Sequence, residues 1–504
     1  MELEVLFNQI AAAIHEKDGA ADGIPAKDFP ARIRAIPTGG LGGVALESIE
    51  ITAPPFKTYY MPGEPFDPSG MAVYARFSNG QSMYVSHSGL TFDPAGPLDE
   101  DAASVTVSFQ WGLRMASVVQ PVSVAANLVF GVCWNYGEPS SALARLTPGT
   151  DPNGLATAAV RAEPAPASGD GPGSSPFDRF LPWAGMEEYN IVGGRAAYKR
   201  GEEGFSRTDF DTMVYIPPFY YAVVDDPEGR RRYWYVSDTA AEGLAPHPGG
   251  GRYLARYACG EGYVSKSGLA PQTAVTRAQA RAGCAGRGDG WRQYDFAAWC
   301  AVGLLYLVEF ADWDSQKKVG MGLCSHPGGG PAPSGRTDGM AYHTGGEGAS
   351  NGLACVQYRG LENLWGNVFQ WVDGINVRDC AVYLASEPGL YESAEGYTPA
   401  GVSIPSAYGG TKAMGMGQAA PWAFLPSEAA DDPGGYIRDF VFPGGGERAL
   451  CVGGSFSGWP NAAAVGLFCF DASYAEGQDP DYIGARLMFV PEEAQGRDGL
   501  KNKG

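Results

Sequence analysis

Histidine is scarce in this chain. Five occur in 504 residues, at positions 15, 87, 247, 326 and 343, and none has a metal-binding spacing such as HxxxH. Histidine-centred metal or acid–base chemistry therefore has little to draw on. Charge is scarce too: 18% of residues are Asp, Glu, Lys or Arg, against a usual level of about 25%. What charge there is runs one way. The formal net charge is −20, with no basic patch to offset it, so nucleic acid is not an expected partner. No P-loop occurs, because "GEGAS" and "GGGERAL" lack the Gly-Lys-Ser/Thr ending. The nine cysteines are odd in number, form no CxxC and show no zinc spacing. Several lie within apolar runs, as Cys300 does in "FAAWCAVGLLYL", where a thiol acts as a small hydrophobe. The expectation is buried free thiols in a chain made in a reducing cytoplasm. Long hydrophobic runs are missing as well. The longest, Phe296 to Phe310, has 15 residues and includes Glu309, short of the roughly 20 that span a bilayer. The N-terminus "MELEVLFNQIAAAIHEKDG" carries Glu2 and Glu4 where a signal peptide has basic residues. A soluble chain, without membrane insertion and not exported by the general route, is expected.

What the chain has in abundance is glycine and proline, 72 and 38 of 504 residues. That is well above the usual level of roughly 12% for the pair. Dispersed among aromatics, they indicate a loop-rich globular protein. Residues 1–40 read as a short helical segment for attachment or oligomerisation, with Leu3, Phe7, Ile10 and Ile14 on one face. "PTGGLGG", residues 37–43, is a flexible linker. From 45 to 124 the period becomes two, as in "MAVYARF" and "SVTVSFQW", which predicts an all-β immunoglobulin-like sandwich. "EPAPASGDGPGSS", residues 163–175, reads as a long loop or linker. Beyond it the composition is even to about Pro491, and residues 492–504 form a tail. "TMVYIPPFYYAVVDD" and "RRYWYVSD" predict a hairpin around residues 226–229. "YDFAAWCAVGLLYLVEFADWDSQKKVG" predicts one long buried helix with Gly320 as its C-cap. One strong helix among many short strands points to an α+β domain.

Two motifs bear on chemistry. "GGSFSG" has the outline of a GxSxG nucleophile elbow, but no hydrolase pattern surrounds it. In "ENLWGNVFQWVDGINV", residues 362–377, Trp365, Val368, Trp371 and Val372 fall at i, i+3, i+6 and i+7. Asn363, Asn367 and Asp373 are placed to bond backbone around Gly366 and Gly374, so the motif reads as a core-organising turn.

"LWGNVFQWVDG", "RALCVGGSFS", "GLF" and "IGARLMF", in that order, resemble the formylglycine-generating-enzyme-like branch of the C-type lectin fold. The chain is similar in particular to variable proteins of diversity-generating retroelements, of the phage tail-tip receptor-binding type. "FGVCWNYG", "SPFDRFLPWAGMEEYNIV" and "LLYLVEFADWDSQ" extend that resemblance over residues 127–491. The segment "IEITAPPFKTYYMPGEPFDPSGMAVYARFSNG" resembles bacterial immunoglobulin-like repeats of surface and phage tail proteins, which implies a spacer. The implied architecture is a helical segment, a bacterial immunoglobulin-like domain over 45–124, and an α+β C-type lectin-fold ligand-binding domain over 127–491.

By the same resemblance, residues 451–487 are the variable region. Trp365, Gly366, Asn367, Trp371, Gly453, Gly454, Gly484 and Arg486 would hold the frame, with Gly466, Phe468, Ile483, Ala485 and Leu487 beside them. Phe456, Ser457, Trp459, Asn461, Cys469, Asp471, Ser473, Tyr474, Asp479 and Tyr482 would face solvent and touch the ligand, aromatics among small polar residues as in a paratope. The implied function is non-catalytic receptor binding on a phage or prophage virion tail. The partners would be a bacterial surface protein or glycan, phage tail proteins, and further copies of the chain in a trimer. No cofactor is expected. The copper-binding cysteine pair of the oxidising relatives has no counterpart in "GARLMFVPEE", and the calcium triplets of sugar-binding lectins are absent from "WPN" and "GQDPDY". Plentiful loop Asp and Asn leave a structural calcium ion open. The alternatives are a structural baseplate component with the patch buried in the assembly, and a formylglycine-generating-type oxidase.

Overall fold

The computed structural model describes residues 44–491 except 56, 100–101, 125–126, 327–328, 349–352, 386, 393–395, 431–435 and 459–461. The helical segment expected over 1–40 and the tail over 492–504 lie outside the described residues. The chain divides into two compact units, residues 1–126 and 127–504.

The described part of the N-terminal unit is built from eight strands: β1 (Leu46–Ala53), β2 (Tyr59–Tyr60), β3 (Ala72–Phe77), β4 (Ser82–Val85), β5 (Leu90–Asp93), β6 (Ser104–Trp111), β7 (Arg114–Pro121) and β8 (Ser123–Val124). They form the antiparallel sheets β1-β3-β4 and β5-β6-β7 and the parallel pair β2-β8. The period-two pattern is what sorts their faces. Val73, Ala75 and Phe77 of β3 are buried while Tyr74 and Arg76 point out, and Val105, Val107 and Phe109 of β6 are buried in the same way. Val73, Ala75 and Phe77 meet Leu90, Val107 and Phe109 of the other sheet in one apolar cluster. Each such valine, leucine or phenylalanine contributes about 1.5–3 kcal/mol when fully buried.

The α+β expectation for the C-terminal unit is overturned: the protein is mostly β. Its described residues hold three α-helices of 9, 15 and 4 residues, α1 (Arg277–Ala285), α2 (Phe296–Phe310) and α3 (Ser315–Lys318). The remainder is organised by sheets of nine, six, five and four strands. In the nine-stranded sheet the strands at the two ends of the order, Tyr397–Ser403 and Ala420–Ala430, approach each other, so it curls nearly into a barrel. The reason lies in composition. Stretches such as Asp211–Ile216, Arg231–Ser237 and Phe369–Arg378 are short, rich in aromatic and β-branched residues, and each has a glycine or proline close to one end, which suits strands and stops helices.

The single long helix expected through residue 320 is also corrected. Asp295 caps α2 by accepting from the Ala298 N–H at 2.8 Å, and the helix ends at Ala311, left-handed at φ +49°. Asp312 then accepts from the Asp314 N–H at 3.0 Å, and Asp314 from the Lys317 N–H at 2.9 Å. Two aspartates accepting from backbone N–H groups two and three residues on replace helical bonds and restart the chain as α3. The buried Glu309 at the end of α2 is satisfied by Arg359, Tyr358 and Ser175 at 2.6–2.9 Å. Residues 163–175 are no free linker either. Ala165 and Ser174 exchange backbone bonds of 2.7 and 2.9 Å, and Ala167 pairs with Gly345. Small side chains let those backbones approach. The hairpin around 226–229 is present, with Tyr220–Asp226 paired to Arg231–Ser237.

Candidate ligand-binding surface

The turn between Leu361 and Phe369 organises the region. Asn363, Gly366 and Asn367 all have positive φ, +50°, +76° and +64°, a conformation that Gly and Asn adopt at least cost. Trp365, Val368, Trp371 and Val372 are all buried, but not along a helix. From Phe369 the chain is a strand, so the four side chains are enclosed from two layers. Their indoles are satisfied by backbone: Trp365 donates to Gly320 O at 2.9 Å and Trp371 to Val275 O at 2.8 Å.

Asn367 joins three segments. Its side chain accepts from the Ala332 N–H at 2.8 Å and donates to Ala332 O at 3.0 Å. Its own N–H donates to Leu323 O at 2.9 Å, and its carbonyl accepts from the Phe456 N–H at 2.8 Å. Two residues on, the Phe369 N–H donates to Tyr482 O at 3.0 Å. Phe456 and Tyr482, far apart in sequence, therefore flank the same short stretch, 367–369.

Below this surface the strand Glu447–Val452 pairs with Phe369–Arg378 on one side and Phe470–Ala472 on the other. Gly453, at φ +89°, packs where a Cβ would strike Leu364 O, and Gly454, at φ +72°, lies where a Cβ would come 2.5 Å from Val465. At Gly484 a Cβ would meet Gln272 O at 2.7 Å. Arg486 is wholly buried and surrounded by acceptors.

The ten expected contact residues separate into three groups. Ser457 and Asp479 are exposed, and Phe456, Ser473, Tyr474 and Tyr482 are half-buried. Trp459 and Asn461 lie outside the described residues. Cys469 and Asp471 are corrections: at 0% and 1% exposure they offer nothing to a ligand. Asp471 sits in the strand enclosed between Glu447–Val452 and Phe440–Pro443, and Cys469 immediately precedes that strand. Burial pushes the Cys469 thiol well up, which keeps it protonated and unreactive. The hydroxyl of Ser455 in "GGSFSG" is 2.9 Å from that of Ser457.

Tyr474 and Tyr482 form a pair, their hydroxyls 2.7 Å apart and their rings edge-on at 6.3 Å. Tyr474 also packs edge-on against Trp371 at 6.2 Å. Burial raises its hydroxyl above the usual phenol range, with the Tyr482 bond acting in the same direction. The loop that follows is fastened to α1 by Glu476, which lies 3.3 Å from Arg277 and 3.2 Å from Arg281. Arg281 in turn holds the buried Asp373 at 2.6 Å.

The surface includes residues that sequence reasoning did not single out as contacts. Ser325 forms a bridge with Ser457, and the exposed His326 donates its N–H to Phe456 O at 2.8 Å. The His326 ring Nδ1 lies 3.0 Å from Gly330 O, a carbonyl that can only accept, so Nδ1 donates. A pairing across some 130 residues leaves no local signal. Among the described residues, no three His, Cys, Asp or Glu side chains converge as metal ligands, and no helix is long and apolar enough to cross a membrane.

Asp471 couples the surface to pH. Burial pushes its carboxyl up to about 6, against the opposing bonds from the Ser473 N–H and hydroxyl. Its contribution to stability is full below the unfolded value near 3.8 and is lost as pH rises through about 6. Burial pushes Asp439 up to about 7, in the same direction. The buried His247, pushed down to about 3, acts oppositely and loses its contribution as pH falls from 6.5. Asp471→Asn keeps Oδ1 for Ser473 and isolates one group. In urea titrations it is expected to gain on wild type by on the order of 2–3 kcal/mol between about pH 4 and pH 6. Parallel wild-type and variant curves would refute that assignment.

No family model matches the chain, and no curated protein matches it. Among solved structures it is similar to "Major Tropism Determinant I1 Variant", at 9% identity over 81% of this chain and 84% of that one, with a TM-score of 0.25. It is likewise similar to "Major Tropism Determinant U1 Variant", at 10% identity over 83% and 92%, also with a TM-score of 0.25. Likenesses this slight carry no weight for fold or function, which rest on the chain's own residues.

Proposed function

We propose that the chain is a non-catalytic receptor-binding protein of a phage or prophage tail, whose C-terminal unit binds a bacterial surface protein or glycan. The observation that carries this reading is the contrast between frame and surface. Asn367, Gly453, Gly454 and Arg486 hold a tightly bonded scaffold. On it lies an irregular patch that includes Phe456, Ser457, Ser473, Tyr474, Asp479 and Tyr482. Aromatic anchors among small polar side chains bind with little entropy loss, because few rotatable bonds are immobilised. Side chains on such a scaffold are exchangeable without loss of the fold. The first unit would act as a spacer and the N-terminal residues as an attachment, and several copies on one tail would raise avidity.

The test uses the fluorescently labelled full chain and intact cells of candidate gut bacteria. Wild type is expected to label at least one strain. A Phe456→Ala, Tyr474→Ala, Tyr482→Ala variant with unchanged circular dichroism is expected to weaken labelling about a hundredfold, as for three anchors worth about 1 kcal/mol each. Equal labelling by both proteins would place recognition elsewhere.

A further inference from the structure

We propose that the N-terminal unit carries a binding site of its own, for one ring of a neutral saccharide. Met83 of β4 is registered opposite Ala75 of β3, and opposed residues in an antiparallel pair share a face. Ala75 is fully buried in the core, yet Met83 is 37% exposed. The inner face of the sandwich is therefore uncovered at this corner. The resulting cavity has a volume of about 360 Å³ and is lined by Val44, Phe77, Gln81, Ser82, Met83 and Trp111, within the range in which small ligands are held.

The lining selects the ligand class. Trp111 is half-buried and its indole is held by Phe77 at 5.3 Å and Phe109 at 6.3 Å. A fixed aromatic wall of this kind suits the C–H face of a pyranose. At the mouth, Gln81 Oε1 accepts from Asn79 Nδ2 at 2.8 Å. The Gln81 amide N–H2 has no hydrogen-bond partner among the described residues, whereas Ser82, registered opposite the outward-pointing Arg76, lines the cleft from its outer edge. An amide donor at the rim of a pocket walled by an indole is what a ring hydroxyl needs. None of the six lining residues is charged, so neither a phosphate nor a carboxylate would find a counterion. A cation would find no carboxylate there either, so the guest is neutral. The site is independent of the C-terminal surface and gives the first unit a role besides spacing.

Saturation-transfer NMR on the full chain tests this, with the methyl glycosides of glucose, galactose, mannose and N-acetylglucosamine at about 10 mM, where a millimolar site fills. Transfer to the ring protons of at least one glycoside is expected. Gln81→Leu, an exposed change that leaves the core intact, is expected to weaken binding about fivefold, the loss of one hydrogen bond. Trp111→Leu is expected to abolish it, and Phe456→Ala with Tyr482→Ala to leave it unchanged. The proposal is overturned if none of the glycosides shows transfer, or if transfer survives Gln81→Leu and Trp111→Leu undiminished. Equal transfer to cyclohexanol in wild type and Gln81→Leu would mark a merely apolar cleft and overturn it as well. So would a signal that appears only once residues 1–43 are removed, since the chain's own N-terminus would then be the occupant.

Discussion

Arg486→Met is expected to cost the C-terminal unit on the order of 5 kcal/mol, enough to unfold it or nearly so. The guanidinium is fully buried and makes five bonds: Nε to Gln370 Oε1 at 2.6 Å, Nη1 to the carbonyls of Ala255 and Arg256 at 2.6 and 3.0 Å, and Nη2 to those of Glu362 and Asn363 at 2.7 and 3.1 Å. Burial pushes its pKa down to about 10, with the nearby Tyr294, Cys259 and Glu362 pulling back upward. The charge is held chiefly by carbonyl dipoles, and the backbone carbonyls belong to two separate segments, with the Gln370 side chain coming from a third. Methionine fills much of the volume, and Arg256 O keeps the Glu362 N–H and Asn363 O the Gln370 amide, but Gln370 Oε1, Ala255 O and Glu362 O lose this donor in a dry interior, at about 1–3 kcal/mol each before relaxation. Arg486→Lys, with three donors in place of five, should fall between wild type and methionine. Urea unfolding followed by tryptophan fluorescence measures both. A methionine variant with a wild-type midpoint would show that the guanidinium network adds nothing.

The second large effect is expected at Gly453, where alanine should cost about 4 kcal/mol and abolish cell labelling. Two strains combine. The residue sits at φ +89°, which costs a side-chain-bearing residue about 1–2 kcal/mol. Its new Cβ would strike the Leu364 carbonyl, and forced displacement of packed backbone adds about 1–3 kcal/mol. The Leu364 carbonyl cannot rotate away cheaply, because Gly366 donates to Gly453 O at 2.6 Å and Trp365 is fully buried beside it. The displacement would pass through Asn367 to the turn at Phe456 and the Ala332 loop, loosening the candidate surface. Thermal melts and cell labelling of Gly453→Ala check both parts. A variant that melts as wild type would remove this glycine from the frame, whereas one that melts lower but still binds would separate the frame from recognition.

These effects bear on how legible the chain was. Alternating patterns such as Val73, Ala75 and Phe77 specify which face of a strand is buried, because side chains alternate along any strand. The positions of Gly366, Asn367 and Gly453 announced turns and close approaches, because few other residues adopt those conformations. Class was misjudged because one conspicuous helix, Phe296–Phe310, outweighed many short apolar stretches whose strand character is individually weak. The break after Phe310 was missed because its cause, aspartate side chains accepting from backbone N–H groups two and three residues on, competes locally with an otherwise strong helical signal.

The candidate surface shows the same division. That residues 451–487 alternate between glycine-bounded apolar stretches and irregular polar ones is a property of the chain alone. Which of those residues meet solvent is not. The family resemblance puts Cys469 and Asp471 on the surface, yet they are enclosed because strands about twenty to thirty residues away pair on either side of Phe470–Ala472. His326 enters the surface only through its bond to Phe456. Side-chain chemistry and backbone preference act over a few residues and can be read locally. Burial depends on which distant strand arrives to cover a face, and that is decided by the packing of the whole unit.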